Sequence, residues 1–225
     1  MTADYTNSIE KKFPECYNVS NPGITFLEAV HMKETKTNIR RIVIRILIVL
    51  LILFGIWNGL WLYYRQHYFV RVAEQAGMTK QKGMHIYYMS EVPLENGITA
   101  HYGVFCPPYL RFAYNYSAHE SPEPDRIEKN GKWLYQCDYR IDLSIHPSLF
   151  GEPRYQIQIY DQKTANAQYL AGETNELGSG KIYHFDVDAD MNIIQEWSYG
   201  GQAVWDDAHD EAYAMFTRAK DVFGL

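Results

Sequence analysis

Residues 46–64 form an unbroken apolar segment, and this segment restricts what kind of protein the chain can be. Its sequence, ILIVLLILFGIWNGLWLYY, holds no charged side chain in nineteen residues. A helix of that length extends about 28 Å, which is close to the hydrocarbon thickness of a lipid bilayer. A helix buried in a globular core is rarely apolar on every face. The segment therefore predicts a single uncleaved transmembrane helix.

The positive charges beside the segment predict its orientation. The fifteen residues before Ile46 contain five Lys or Arg, and the fifteen after Tyr64 contain two. Because the more basic side of a membrane helix generally stays in the cytoplasm, we expect a cytoplasmic N-terminus and an extracytoplasmic C-terminal part, in the plasma membrane. A cleaved signal peptide is the alternative. Its charged region would be unusually long here, and no A-x-A cleavage site follows the apolar segment.

This topology predicts four segments that differ in charge. They are a cytoplasmic tail (1–45), the transmembrane helix (46–64), a juxtamembrane helix or linker (65–82) and an extracytoplasmic β-rich domain (83–225). Residues 1–45 hold seven Lys or Arg against five Asp or Glu, whereas residues 65–225 hold fourteen against twenty-two. An acidic exported part disfavours nucleic acid, whose phosphates require basic side chains. A basic protein partner suits it better.

Alternating apolar and polar residues predict six or seven strands in the exported part. The clearest run is Lys132–His146, which follows a two-residue hairpin turn at Asn130-Gly131. Further runs are 85–91, 100–106, 110–116, 155–159, 183–187 and 193–199. Short loops between them favour an antiparallel sheet. The chain ends in an amphipathic helix that begins near Asp206 or Asp207 and is capped by Gly224. The predicted fold is α+β: one transmembrane helix, then a mostly antiparallel sheet with a C-terminal helix packed on it.

Two cysteines of the exported part, Cys106 and Cys137, fall on apolar faces of predicted strands. A disulfide between them would close a loop of about 30 residues and stabilise the domain by roughly 3–4 kcal/mol. Two buried free thiols are the alternative, because the sequence does not give the distance between them. A catalytic cysteine is disfavoured, since an apolar setting raises a thiol pKa.

Motifs for catalysis or cofactor binding are absent from the sequence. It contains no G-x-S-x-G, Walker loop, Rossmann glycine pattern or H-E-x-x-H. The run from Asp186 to Asn192 resembles the start of a calcium loop, but Met191 and Trp197 replace the Gly and Glu that such a loop needs. A hairpin turn at Ala189–Asn192 is the better interpretation. We expect no enzyme activity, no metal and no cofactor.

Acidic residues concentrate near the C-terminus, where positions 186–211 hold eight Asp or Glu and no Lys or Arg. A solvated face is one interpretation, and a docking surface for a basic partner is the other. Polar faces of the predicted strands supply the candidate partner-binding residues. These are Asp138, Arg140, Asp142, His184, Asp186, Asp188 and Glu196.

Three features of the chain resemble TipC-type immunity proteins. They are the Asp-rich hairpin from Phe185 to Trp197, the final helix running to Gly224-Leu225, and the single predicted membrane helix before an acidic β-rich exterior. Those are membrane-tethered bacterial proteins that bind and neutralise a toxin outside the cell. The likeness covers about the last 45 residues plus the architecture, and the long N-terminal tail departs from it. It implies an anchored, non-enzymatic protein that binds a partner protein, and it transfers no functional residue.

Two other classes of function stay open at this point. A structural or scaffold subunit of an envelope or secretion assembly is the first, because a pure anchor needs no tail of 45 residues. A membrane-anchored enzyme is the second, because any two acids on neighbouring strands can meet in a sheet. Affinity capture of partners separates these classes.

Overall fold

The computed structural model describes the backbone from Phe26 to Leu225, and side chains from residue 38 onward except Asn96. The first 25 residues of the predicted tail lie outside the described residues. The helices are α1 (Phe26–Tyr64), a π-helical segment (Arg65–Val70), α2 (Arg71–Gln75), a 3-10 turn (Glu95–Gly97), α3 (Gln162–Ala171) and α4 (Gln202–Phe223). The chain divides into two compact units, 1–53 and 54–225.

The described part of the first unit is helix. Between Ile39 and Leu53 its apolar side chains are all about half exposed or more. Among residues 26–225, no helix is both long enough and apolar enough to cross a membrane.

The second unit is built on one eight-stranded antiparallel sheet, ordered β1-β2-β3-β4-β7-β8-β9-β10. The strands are β1 (Thr79–Lys80), β2 (Ile86–Pro93), β3 (Ile98–Phe105), β4 (Tyr116–Pro122), β7 (Tyr139–His146), β8 (Arg154–Asp161), β9 (Lys181–Val187) and β10 (Ile193–Glu196). A separate hairpin pairs β5 (Arg126–Lys129) with β6 (Lys132–Tyr135). An α+β fold with a large antiparallel sheet and a C-terminal helix is therefore confirmed.

One face of this sheet forms the hydrophobic core under α4. Every second residue of the central strands is buried there, as the alternation predicts. Ala212, Met215 and Phe216 of α4 are buried against it. Phe69 of the π-helical segment and Phe223 of α4 both pack on Tyr116, with ring centroids 5.5 Å and 4.8 Å away. The N-terminal and C-terminal helices of the unit thus cover the same face.

Local signals located several elements correctly. Asn130 and Gly131 have φ angles of 55° and 75°, the left-handed pair that a tight hairpin requires. Gly224 ends α4 at φ 68° with the expected left-handed cap. The turn at 189–192 is present, with the N–H of Met191 donating to the carbonyl of Asp188.

Other predictions were wrong. Lys132–His146 is two strands separated at 136–138, and within β6 Leu134 is buried whereas Trp133 is exposed. Residues 110–115 form a loop, because the chain from Pro107 leaves the sheet to contact the end of α1. The terminal helix begins at Gln202, ahead of the two predicted caps. Helix α3 was not predicted at all, since its residues show little amphipathic pattern.

Candidate functional site

The sheet face opposite α4, which we call the open face, carries rows of polar side chains. Strand register places one row straight across five strands. Its members are His101, His119, Asp142, Gln158 and His184. The next row is Ser117, Ser144, Gln156 and Asp186, and its β3 position is occupied by Gly103, which has no side chain. Residues from distant parts of the sequence therefore meet on one surface.

Asp142 lies at the centre of the first row and contacts two basic side chains. Its Oδ1 is 2.8 Å from Nδ1 of His119, and its Oδ2 is 3.3 Å from Nη2 of Arg140. Burial by itself would raise the pKa of Asp142, but the contact with His119 and the charge of Arg140 outweigh burial and hold that pKa below its ordinary value. Asp142 is therefore an ionised carboxylate on the open face at neutral pH.

Gln156 connects three strands in the second row. Its side-chain amide donates to Oδ1 of Asp186 at 2.9 Å, and Nε2 of His146 lies 2.9 Å from its Oε1. Arg154 is 3.6 Å from the other Asp186 oxygen. Burial lowers the pKa of His146, and Arg154 lowers it further against the opposing effects of Gln156 and Asp186. A neutral His146 ring thus donates to Gln156, and each Asp186 oxygen has a partner on β8.

Trp197 forms one wall of a recess on this face, which we call the Trp197 recess. The recess encloses about 320 Å³ and is lined by Gln156, Gln158, His184, Asp186 and Trp197 with backbone of β8 and β9. The N–H of Trp197 donates to the carbonyl of His184 at 2.9 Å, so its backbone is held beside β9. Trp197 is nevertheless 58% exposed. An aromatic ring, a carboxylate and two amides thus border one concave surface.

The structure brings four of the seven candidate residues together and separates three. Arg140, Asp142, His184 and Asp186 all lie on the open face. The prediction assigned them to two polar faces, and they share one because β8 lies between β7 and β9.

The remaining three candidates have other positions. Asp138 is exposed in the bend that separates β6 from β7. Asp188 accepts hydrogen bonds from residues 190 and 192 and so shapes the turn, which lowers its pKa. Oε1 of Glu196 accepts from the N–H of Gly201 at 2.5 Å, just before α4. Asp188 and Glu196 are therefore occupied in holding the backbone.

Comparison with known protein families, curated proteins and solved structures finds no match. The site must therefore be interpreted from its own chemistry.

The residues that sequence reasoning missed are His119, Gln156 and Trp197. Ser117, His119 and Ser121 are every second residue of β4, so they predict a polar face once the bounds of that strand are known. Trp197 was assigned to an apolar face in register with Ile193. A register shift between Ile193 and Gln195 in the β9–β10 pair reverses the face on which the later residues lie.

Metal binding and thiol chemistry depend on how the His, Cys, Asp and Glu side chains are placed. Among residues 38–225, no group of three His, Cys, Asp or Glu is arranged to hold a metal ion. Cys106 and Cys137 are both free thiols in the structure, the first fully buried and the second partly buried. Burial raises the pKa of each thiol to about 11, so both stay protonated at neutral pH and are poor nucleophiles.

A second cleft lies between α4 and the core face, beside β4 and β7. It encloses about 360 Å³, and its lining includes Cys137, Tyr139, Glu211 and Arg218. Burial, together with the negative charges of Asp138 and Asp207, raises the pKa of Glu211. Arg218 is fully engaged by Glu120 through two hydrogen bonds. The cleft thus groups a carboxyl of raised pKa, a protonated thiol and a paired arginine.

Proposed function

We propose that this protein is a membrane-tethered, non-enzymatic binding protein whose open face grips a partner protein outside the cytoplasm. The observation that carries the proposal is the Trp197 recess. An exposed indole there borders a concave surface next to a carboxylate that is already fixed in place. Tryptophan is over-represented among residues that dominate binding energy in protein interfaces.

The partner's contacting side chain is basic. The indole face attracts a cation, and Asp186 supplies a carboxylate within the same recess. The segment from 186 to 211 adds further acids and no Lys or Arg, which steers a basic partner toward this side of the domain. Gln156 and His146 hold Asp186 in position before binding, so little side-chain freedom is lost on association.

The membrane tether is the second part of the proposal, and it stands against the finding that no described helix is long and apolar enough to cross a bilayer. It is supported by the nineteen uncharged residues from Ile46 to Tyr64 and by the exposure of the apolar side chains of α1 between Ile39 and Leu53. Water disfavours such a surface, so lipid is the natural environment for it. The tail then lies in the cytoplasm and the acidic domain outside it.

Affinity capture tests the binding role. Full-length chain in mild detergent is used as bait against envelope extract and culture supernatant, followed by mass spectrometry. Trp197→Ala and Asp186→Asn are compared with Glu176→Lys, an exposed acid in the loop after α3. We expect both recess variants to lose about 30-fold or more in affinity, as for hot-spot residues worth ~2 kcal/mol, and the control to bind as wild type.

The outcomes separate the classes of function. Capture of one secreted toxin supports the immunity role that the resemblance to TipC-type proteins implies. Several envelope proteins that are lost on deleting residues 1–45 would instead indicate a scaffold subunit. Undiminished capture by Trp197→Ala and Asp186→Asn, with unchanged melting curves, would remove the recess from the proposal.

Carbonate extraction and flotation test the tether. Full-length protein is expected to stay with the membrane fraction at high pH, and the double variant Leu50→Arg, Leu51→Arg is expected to be released. Release of the wild-type chain by carbonate would contradict membrane insertion.

A further inference from the structure

Two loops of the second unit close around the last turns of α1. The indole Nε1–H of Trp61 donates to the carbonyl of Pro108 at 2.9 Å, and the hydroxyl of Tyr64 donates to the carbonyl of Pro147 at 2.8 Å. The hydroxyl of Tyr109 also donates to the side-chain oxygen of Asn58. We call residues 54–64 together with loops 106–115 and 147–153 the collar. The loops fix the helix end to the folded domain.

The collar exposes aromatic side chains from three separate chain segments. Phe150 is 88% exposed, Tyr109 60% and Trp57 48%. Trp57 and Phe150 also line a cleft of about 460 Å³, together with Leu60, Phe112 and Leu149. A water-facing surface rarely groups large apolar rings in this way, so the collar is a contact surface.

Three observations identify lipid as the contact. Trp, Tyr and Phe are the side chains that favour the boundary between headgroups and acyl chains. The residues directly before Phe54 in the same helix are uncharged and apolar as far back as Ile46. The collar and the residues next to it hold three arginines, Arg65, Arg111 and Arg154, and one acid, Glu152. This end is therefore locally basic, although the exported part as a whole is acidic.

We propose that the collar is a lipid-interface contact that seats the folded domain on the bilayer surface. The inference rests on the proposed membrane tether and adds to it: Phe150 and Tyr109 enter the interfacial layer, and the cleft is filled by lipid chains. The domain is then held close to the membrane by its loops as well as by α1, which leaves the open face for the partner.

Site-specific labelling of the full-length chain tests this inference. Phe150→Cys, in a Cys16→Ser background, carries an environment-sensitive nitrobenzoxadiazole dye, and the protein is placed in nanodiscs of phosphatidylcholine and phosphatidylglycerol at 3:1. The matched control is Tyr199→Cys, a position that is 98% exposed and outside the collar. Both sites are exposed, so neither label disturbs packing.

The expected result is a blue-shifted emission for the label at 150, with at least a twofold loss of intensity when brominated lipids replace the normal ones. The label at 199 should show neither effect. Equal behaviour of the two labels in a chain that is inserted in the nanodisc would overturn the collar inference and leave the tether intact. Failure of the chain to incorporate would overturn the tether itself. A shielded label at 150 that ignores brominated lipid would assign the collar to a protein contact instead.

Discussion

His119 and Asp142 face each other across the β4–β7 pair, with Nδ1 of His119 2.8 Å from Oδ1 of Asp142. Nδ1 is buried and makes no hydrogen bond of good geometry with any other group in the described residues. The His119 ring therefore lies against the Asp142 carboxylate at short distance, without the angle of an ideal hydrogen bond. Arg140 supports it from the same strand, at 3.3 Å. This relationship makes Asp142 the charged centre of the open face.

Replacing Asp142 by Asn should destabilise the protein at neutral pH by about 1–3 kcal/mol, the usual value for a charge-assisted contact. The pKa of Asp142 is lower in the folded protein than in the unfolded chain, so the unfolded chain binds the proton more readily. The stabilisation is therefore full above the ordinary Asp pKa of about 3.9 and is lost as pH falls through the folded pKa. Urea midpoints for wild type and variant should converge in acid. A difference that stays constant from pH 7 to pH 3 would contradict this role.

Arg218 of α4 should prove important for attaching that helix to the sheet. Its Nε donates to Oε1 of Glu120 at 2.8 Å and its Nη2 donates to Oε2 at 2.5 Å. Arg218→Ala leaves the Glu120 carboxylate without its partner, and that carboxylate is only a tenth exposed. We therefore expect the free energy of unfolding to fall by about 2–3 kcal/mol, which is less than for a fully buried pair. Arg218→Lys keeps the charge but not the two parallel N–H donors of the guanidinium, and should lower the free energy of unfolding by about half as much. Thermal melts measure both, and equal melting of all three proteins would show that the pair is solvent-screened.

Gly180 should not tolerate a side chain, whereas Gly178 in the same loop should. Gly180 has φ +84°, and a Cβ built there would overlap the backbone carbonyl of Asp161. Gly178 has open space around it and no positive φ. We expect Gly180→Ala to lower the free energy of unfolding by about 2 kcal/mol or more, and Gly178→Ala to change it by less than about 0.5 kcal/mol. Chemical denaturation provides the comparison.

The thiols of Cys106 and Cys137 should react only when the protein opens. Cys106 is fully buried, and Sγ of Cys137 lies 3.0 Å from Oε1 of Gln162. Burial also keeps both thiol pKa values near 11. In a Cys16→Ser background we expect slow maleimide labelling at pH 7, and labelling of two thiols per chain in denaturant without reductant. A chain that takes up label in denaturant only after reduction would contain the disulfide that the sequence left open.

Local patterns in the sequence were sufficient for individual elements. The Asn130-Gly131 turn, the buried alternation of β7, β8 and β9, and the apolar stripe of α4 with its Gly224 cap each depend on residues close in the chain. Their energetics is decided within a few residues, so one sequence specifies them. The predicted membrane helix, tail and partner remain predictions, which the labelling, extraction and capture experiments address.

Only the tertiary structure decided which polar residues meet. Alternation assigns a residue to one of two faces of its own strand, but it does not say which strands are neighbours. The β5–β6 hairpin leaves the sheet, so β4 pairs directly with β7 and places His119 beside Asp142. In the same way β8 joins Asp142 to His184, and the shift in β10 turns Trp197 to the open face. Strand order and register are long-range choices, fixed by how the whole core packs under α4, and no short stretch of sequence contains them.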